Sequence, residues 1–168
     1  MSTPPLHERL AFETAFGQVR DADRRYLLMR ADVFMGLFDR MPDELRAAAL
    51  HALTESVFQF GSGSVRAYAN PDDPHSEQLF ASVAQGAASL GWGVWTFELS
   101  NRTCRLTVRN SPFAAATQTR EPACAAITGM LRAVCEHAWK ISCAVEEEDC
   151  CATSPSLGDT CHFKAYAR

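Results

Sequence analysis

No run of apolar residues in this chain approaches the ~18 to 20 that a membrane helix needs, so no spanning segment is expected. Excess basic charge is missing too: 16 Lys and Arg stand against 20 Asp and Glu, a net charge of −4. Nucleic-acid binding draws on a basic surface. The one tight basic pair is Arg24-Arg25, so nucleic acid is not expected as a partner. The start, Met1-Ser2-Thr3-Pro4-Pro5, has neither the basic residues nor the apolar core of an export signal, which predicts a cytoplasmic location. There is no G-x-G-x-x-G opening a helix and no phosphate loop, so nothing predicts a bound nucleotide. Gly61-Ser62-Gly63-Ser64 does not match the G-x-S-x-G nucleophile elbow, and no His-x-x-x-His pair offers an open metal site. No catalytic arrangement is recognisable. A reductase of this size would need a redox cofactor supplied from elsewhere.

Cysteine, by contrast, is plentiful: seven residues in 168, an odd count. Where thiols stay reduced they serve as small apolar core residues, metal ligands or reactive groups, and disulfides come last. Apolar residues make up 47% and charged residues 21%, which is ordinary globular composition. A chain this long buries roughly 70% of its unfolded surface and needs no disulfide to fold. One domain over residues 1–168 is expected, with room for no DNA-binding or ATPase domain beside it.

Residues 1–5 read as a loose tail and 6–90 as a mainly helical half. Leu10, Phe12, Ala15, Phe16 and Val19 share a helical face, predicting a helix over 6–19. Tyr26-Leu27-Leu28-Met29 is a strand or extended connector, and a short helix is expected around Val33 to Phe38. Pro42 with Asp43-Glu44 opens a long helix. Its predicted buried stripe is Leu45, Ala49, Ala52, Leu53, Ser56, Val57 and Phe60. Asn70-Pro71-Asp72-Asp73-Pro74 is a stop and an N-cap for a helix over 74–90. From 91 to 168 the pattern is hairpin, helix and two strands. Trp92–Leu99 and Thr103–Arg109 form the hairpin. A helix follows over Pro122–Lys140, then strands over Ile141–Glu147 and Cys161–Ala167. Together these predict an α+β fold: an antiparallel sheet of about four to five strands packed with helices.

Parity on the last two strands isolates the one group with chemistry. Glu147 ends a face otherwise made of Ile141, Cys143 and Val145, and a buried carboxylate needs a partner. Cys150 comes three residues later, and Cys161 shares the apolar parity of Phe163 and Ala165. Cys124 lies on the buried side of the preceding helix. Three thiolates and one carboxylate suit tetrahedral Zn2+, and four protein ligands make a structural site with no open position. The alternative is a set of core cysteines beside an acidic loop. Cys104, Cys135 and Cys143 read as plain core thiols. Glu148 with Cys151 repeats the spacing of Glu147 with Cys150, and the vicinal pair is also a candidate redox dithiol.

Asn110-Ser111-Pro112-Phe113, Cys124 with Gly129, Glu147-x-x-Cys150 and Cys161-His162-Phe163, after Gly91-Trp92-Gly93-Val94-Trp95, together resemble the 4-vinyl reductase domain family. The likeness is good over about Ala81 to Ala167. It implies a small-molecule-binding fold akin to vesicle-tethering subunits and nitric-oxide-sensor haem domains. Such domains form the sensory regions of aromatic-responsive transcription activators, and one is linked to vinyl reduction in bacteriochlorophyll synthesis. By motif, the zinc ligands would be Cys124, Glu147, Cys150 and Cys161. Two departures stand out: a longer Cys150–Cys161 loop, and Thr153-Ser154-Pro155 before Gly158 where the family places a glycine soon after the second cysteine.

A ligand pocket would be apolar with few polar groups. Trp92, Trp95, Phe58, Phe80 and Phe113 are candidate walls, with Phe60 and Phe97 beside them. His51 and His137 are candidate polar contacts. The function expected is a stand-alone binding module for an aromatic, hydrocarbon or tetrapyrrole-like ligand, acting as a homodimer. An accessory factor in vinyl reduction and an assembly subunit without ligand are the alternatives.

Overall fold

Residues 6–19 do not form one helix. The computed structural model, which describes residues 4–69 and 77–168, divides them into α1 (Leu6–Arg9), β1 (Ala11–Glu13) and the start of β2 (Gln18–Asp21). With β3 (Arg24–Tyr26) these strands make an antiparallel meander in the order β1-β2-β3. The turn at 14–17 closes on Gly17, whose φ of +60° belongs to the left-handed region that a glycine enters at no steric cost. The apolar spacing misleads here because Phe12 and Phe16 find no core among the described residues and are 59% and 76% exposed.

An ion pair ties the meander to α1. Arg9 donates to both Asp21 oxygens, at 3.1 and 2.8 Å, and Asp21 is buried. The hydrogen bond from Arg9 holds the Asp21 carboxyl below the usual carboxylate range. The folded pKa is thus lower than the unfolded one, near ~3.9. The pair contributes fully above that value and is lost as pH falls through the folded pKa. Asp21→Asn is expected to weaken the meander by about 1.5 to 3 kcal/mol at neutral pH, and by less as pH falls through the lowered folded pKa of Asp21. Amide hydrogen exchange at Val19 and Arg20, corrected for intrinsic rates, reads this directly.

After the 27–29 connector come α2 (Ala31–Asp39) and α3 (Asp43–Tyr68). α3 runs unbroken through Gly61-Ser62-Gly63-Ser64, where Ser62 Oγ donates to the Phe58 carbonyl at 2.6 Å. Its buried face is rotated from the predicted stripe: Leu45 and Phe60 are exposed, while Arg46 is 7% exposed. Burying Arg46 is possible because its guanidinium donates to Glu121 at 2.7 Å and Asp43 at 2.9 Å. α4 (Glu77–Ser89) follows; the predicted stop and N-cap at 70–74 lie outside the described residues.

The second half closely follows the predicted layout. β4 (Val94–Ser100) and β5 (Thr103–Arg109) form the hairpin. α5 (Pro112–Ala116) and α6 (Ala125–Trp139) lead to β6 (Cys143–Asp149) and β7 (Thr160–Ala167). The four strands are antiparallel in the order β4-β5-β7-β6, so β7 is inserted between β5 and β6. The inner face carries Leu106, Val108, Phe163 and Ala165, packed with Ile127, Leu131 and Val134 of α6. α3 lies over α6 at Gly129, where a Cβ would sit 2.4 Å from the Thr54 carbonyl oxygen. Thr54 Oγ1 donates to the Ala125 carbonyl at 3.1 Å across the same crossing. Among the described residues no helix is long and apolar enough to cross a membrane.

Candidate functional site

A β-bulge gathers the cysteines. In β6, Glu147 pairs with Phe163 and Asp149 with His162, leaving Glu148 with no opposite number. The extra residue turns the chain so that Cys150 is buried next to Cys161. Cys161 enters from β7, opposite Val108. Cys124 is not within the helical stripe, as predicted, but is the N-cap residue of α6. Its Sγ lies 3.9 Å from Cys161 Sγ, which lies 3.9 Å from Cys150 Sγ. These gaps are far beyond the ~2.05 Å of a disulfide; all seven cysteines are free.

Glu147 completes the group. Its Oε2 accepts from the Cys124 backbone N–H at 3.3 Å, while Oε1 is buried with no hydrogen-bond partner. The ligand atoms of Cys124, Glu147, Cys150 and Cys161 all lie within 4.8 Å of one another, a group that could hold a metal ion. Electrostatics point the same way. Burial, and then the adjacent Cys150 charge, push the Glu147 carboxyl up to about 8. Hydrogen bonds from Cys124 and Cys161 hold the Cys150 thiol well below its usual range. The Cys124 thiol is driven upward by its hydrogen bonds to Cys150 and Cys161 and by burial. A buried set of acids that resist joint ionisation is stabilised by a cation among them. The loop beyond is fixed locally: the Cys150 carbonyl accepts from Thr153 N, Ser154 N and Thr153 Oγ1 at 2.8 to 3.1 Å.

Cys104, Cys135 and Cys143 are buried away from this group. A hydrogen bond with Cys104, then burial, raises the Cys135 thiol, and burial pushes Cys143 up to about 11. Both act as neutral core groups.

An apolar cavity of about 380 Å³ has no cluster residue in its wall but reaches Pro112, next to Ser111 in the chain, and Ala126, two residues after Cys124. The 27–29 connector, Phe34, Leu53, Val57, Trp92 and Phe113 form most of its wall. Among the described lining residues, Tyr26 brings a hydroxyl and Trp92 an indole N–H; the other side chains are apolar. Trp92 meets Phe113 edge to face at 5.3 Å, and Phe113 meets Phe34 at 6.3 Å. Ser111 connects cavity and cluster. Its buried Oγ is 3.3 Å from Cys124 Sγ and accepts from Ala114 N, capping the helix that carries Phe113.

Of the predicted pocket residues, then, Trp92 and Phe113 line this cavity. Trp95 is buried, donates from Nε1 to the Trp92 carbonyl at 3.0 Å, and borders a separate, open hollow with Phe80 and Phe97. Phe58 lies under the Arg132 guanidinium, 3.9 Å from its ring centre. His51 and Phe60 are exposed on the outer side of α3 and line none of these cavities. His137, in the last turn of α6, lines none of them either. Sequence reasoning missed the walls supplied by Leu53, Val57 and Leu27–Met29. Apolar residues at those positions read equally well as core.

No protein-family model matches the sequence, and no curated protein matches it. Solved structures do match the fold. The phenol-responsive sensory domain of the transcription activator PoxR, determined with phenol, superposes with a TM-score of 0.79 at 14% identity. That match covers 96% of this chain and 86% of the other. A vinyl-4-reductase family protein from Methanocaldococcus jannaschii gives 0.53 at 16% identity over 82% of this chain and 90% of its own. The chain has the mixed α+β fold of these two proteins.

Proposed function

We propose that this chain is a small-molecule-binding domain of the 4-vinyl reductase type, with Zn2+ held by Cys124, Glu147, Cys150 and Cys161. The ligand is a small, neutral aromatic or hydrocarbon molecule. The observation that carries the reading is an apolar cavity, linked through Ser111 to a three-thiol, one-carboxylate cluster, in the fold of a domain determined with phenol. Zinc fits the spacing. Sulfurs ~2.3 Å from a tetrahedral ion stand ~3.8 Å apart, and the two sulfur contacts here are each 3.9 Å. The orphaned Glu147 Oε1 supplies the fourth donor. Zinc at this place is structural: it ties β6, β7 and the α6 N-terminus together and, through Ser111, steadies the Phe113 wall.

The cavity volume falls within the range of small-molecule sites. It fits a single ring, whereas a tetrapyrrole would need the connector to move. Leu27 and Leu28 line the cavity yet are 80% and 62% exposed. Phe12 and Phe16 are exposed as well, and a second copy docking over Leu27 and Leu28 would close the site. The free thiols suit a reducing, cytoplasmic setting.

Native mass spectrometry of the purified chain with added toluene or phenol is the test. A dimer carrying one zinc and one aromatic per chain is expected. Leu53→Trp, which fills the cavity from α3, is expected to lower aromatic affinity at least tenfold and leave zinc in place. If neither aromatic binds and Leu53→Trp changes nothing, the ligand reading is wrong.

A further inference from the structure

Cys151 differs from the quartet because solvent reaches it. Cys124, Cys150 and Cys161 are at most 1% exposed, whereas Cys151 is half-buried. Its Sγ lies 3.5 Å from Cys161 Sγ, closer to it than Cys124 or Cys150 at 3.9 Å. The Cys151 backbone N–H donates to the same sulfur at 3.4 Å. The three donors on the Cys150 carbonyl hold the turn in this position. Closing a Cys151–Cys161 disulfide calls for a sulfur shift of only about 1.5 Å.

We propose that Cys151 and Cys161 form a peroxide-sensitive thiol pair whose oxidation releases the metal ion. The proposal rests on the metal site above and adds a modification site to it. Cys151 sulfur attacks one oxygen of hydrogen peroxide, the O–O bond breaks, and a sulfenic acid and water form. Cys161 sulfur then displaces hydroxide from that sulfenic acid, making the S–S bond. The hydroxide takes a proton from solvent to give the second water. Each sulfur loses one electron and peroxide gains two. The Cys161 sulfur cannot remain a thiolate ligand once it is half of a disulfide, so three donors are left and the ion departs. Ser111 passes the loss on to the Phe113 side of the cavity.

The experiment exposes the zinc-loaded full chain to hydrogen peroxide. A chelating dye follows zinc, peptide mass spectrometry locates the disulfide, and a thiol reductant is then added. Wild-type protein is expected to lose zinc as the Cys151–Cys161 disulfide forms and to regain it on reduction. Cys151→Ser is expected to keep its zinc and release it at least tenfold more slowly. Equal release rates, or a disulfide joining Cys161 to Cys150 or Cys124, overturn this proposal and leave the metal site standing. A chain that takes up no zinc at all overturns both.

Discussion

Cys124→Ser is expected to strip the chain of bound zinc and to lower its melting temperature by about 6 to 20 °C. Cys124 is fully buried, occupies the N-cap position of α6, and touches Cys161 Sγ and Ser111 Oγ. Breaking a buried ionic group by removing one partner costs about 3 to 5 kcal/mol. In a domain of this size each kcal/mol moves the midpoint by about 2 to 4 °C. Elemental analysis checks the metal and calorimetry checks the midpoint. Cys151→Ser is the matched control, since it removes a thiol that touches the cluster at Cys161 but no proposed ligand. Wild-type zinc content in Cys124→Ser would remove Cys124 from the ligand set.

The second large effect is expected at Gly129. An added methyl group there would sit 2.4 Å from the Thr54 carbonyl oxygen and 3.1 Å from both Phe58 N and Val57 Cβ. Two of those neighbours are backbone atoms of α3, which cannot swing aside as a flexible side chain can. Gly129→Ala therefore has to push α3 and α6 away from each other, although together they form one wall of the core. Overpacking of this kind costs about 1 to 3 kcal/mol, occasionally more, against a gain of only about 1 kcal/mol from helix propensity. Because Leu53 and Val57 line the cavity from α3, aromatic affinity should fall along with stability. A denaturant titration beside an aromatic binding curve tests the pair. Unchanged stability would show that the crossing has slack.

Much of the second half was legible because local pattern and tertiary burial agree there. β5 has its predicted ends, since seven strictly alternating residues lie between two turns, and Cys161, Phe163 and Ala165 fall on the buried parity of β7. The grouping of Glu147, Cys150 and Cys161 was legible for the same reason, since Glu147 stands out as a carboxylate on an apolar face, whereas Cys124 joins from the N-cap of α6 and not from its stripe. The bulge that makes room for Cys150 was not, because an unpaired residue is defined by a partner strand that the sequence does not identify. The 6–19 region failed for a different reason. Its apolar residues are spaced for a helix, yet the left-handed turn at Gly17 and the exposure of Phe12 and Phe16 go with a meander. On α3 the misplaced face traces to Arg46, whose burial depends on Glu121, 75 positions along the chain. The cavity draws its walls from several separate segments, and no local pattern marks such a site.

The kink at Glu148 has an effect beyond assembling the thiols. β6 is the last strand on its side of the sheet, where a strand of a neighbouring molecule could pair, although the Cys143 N–H already donates to Glu136 Oε1 at 3.1 Å. Bare margins of this sort invite intermolecular stacking into fibres. Here the interrupted ladder is flanked by Glu146, Glu148 and Asp149, all exposed. A strand docking there would lose its register at the extra residue and meet three negative charges. The same irregularity that shapes the thiol cage thus protects the molecule from polymerising along that margin.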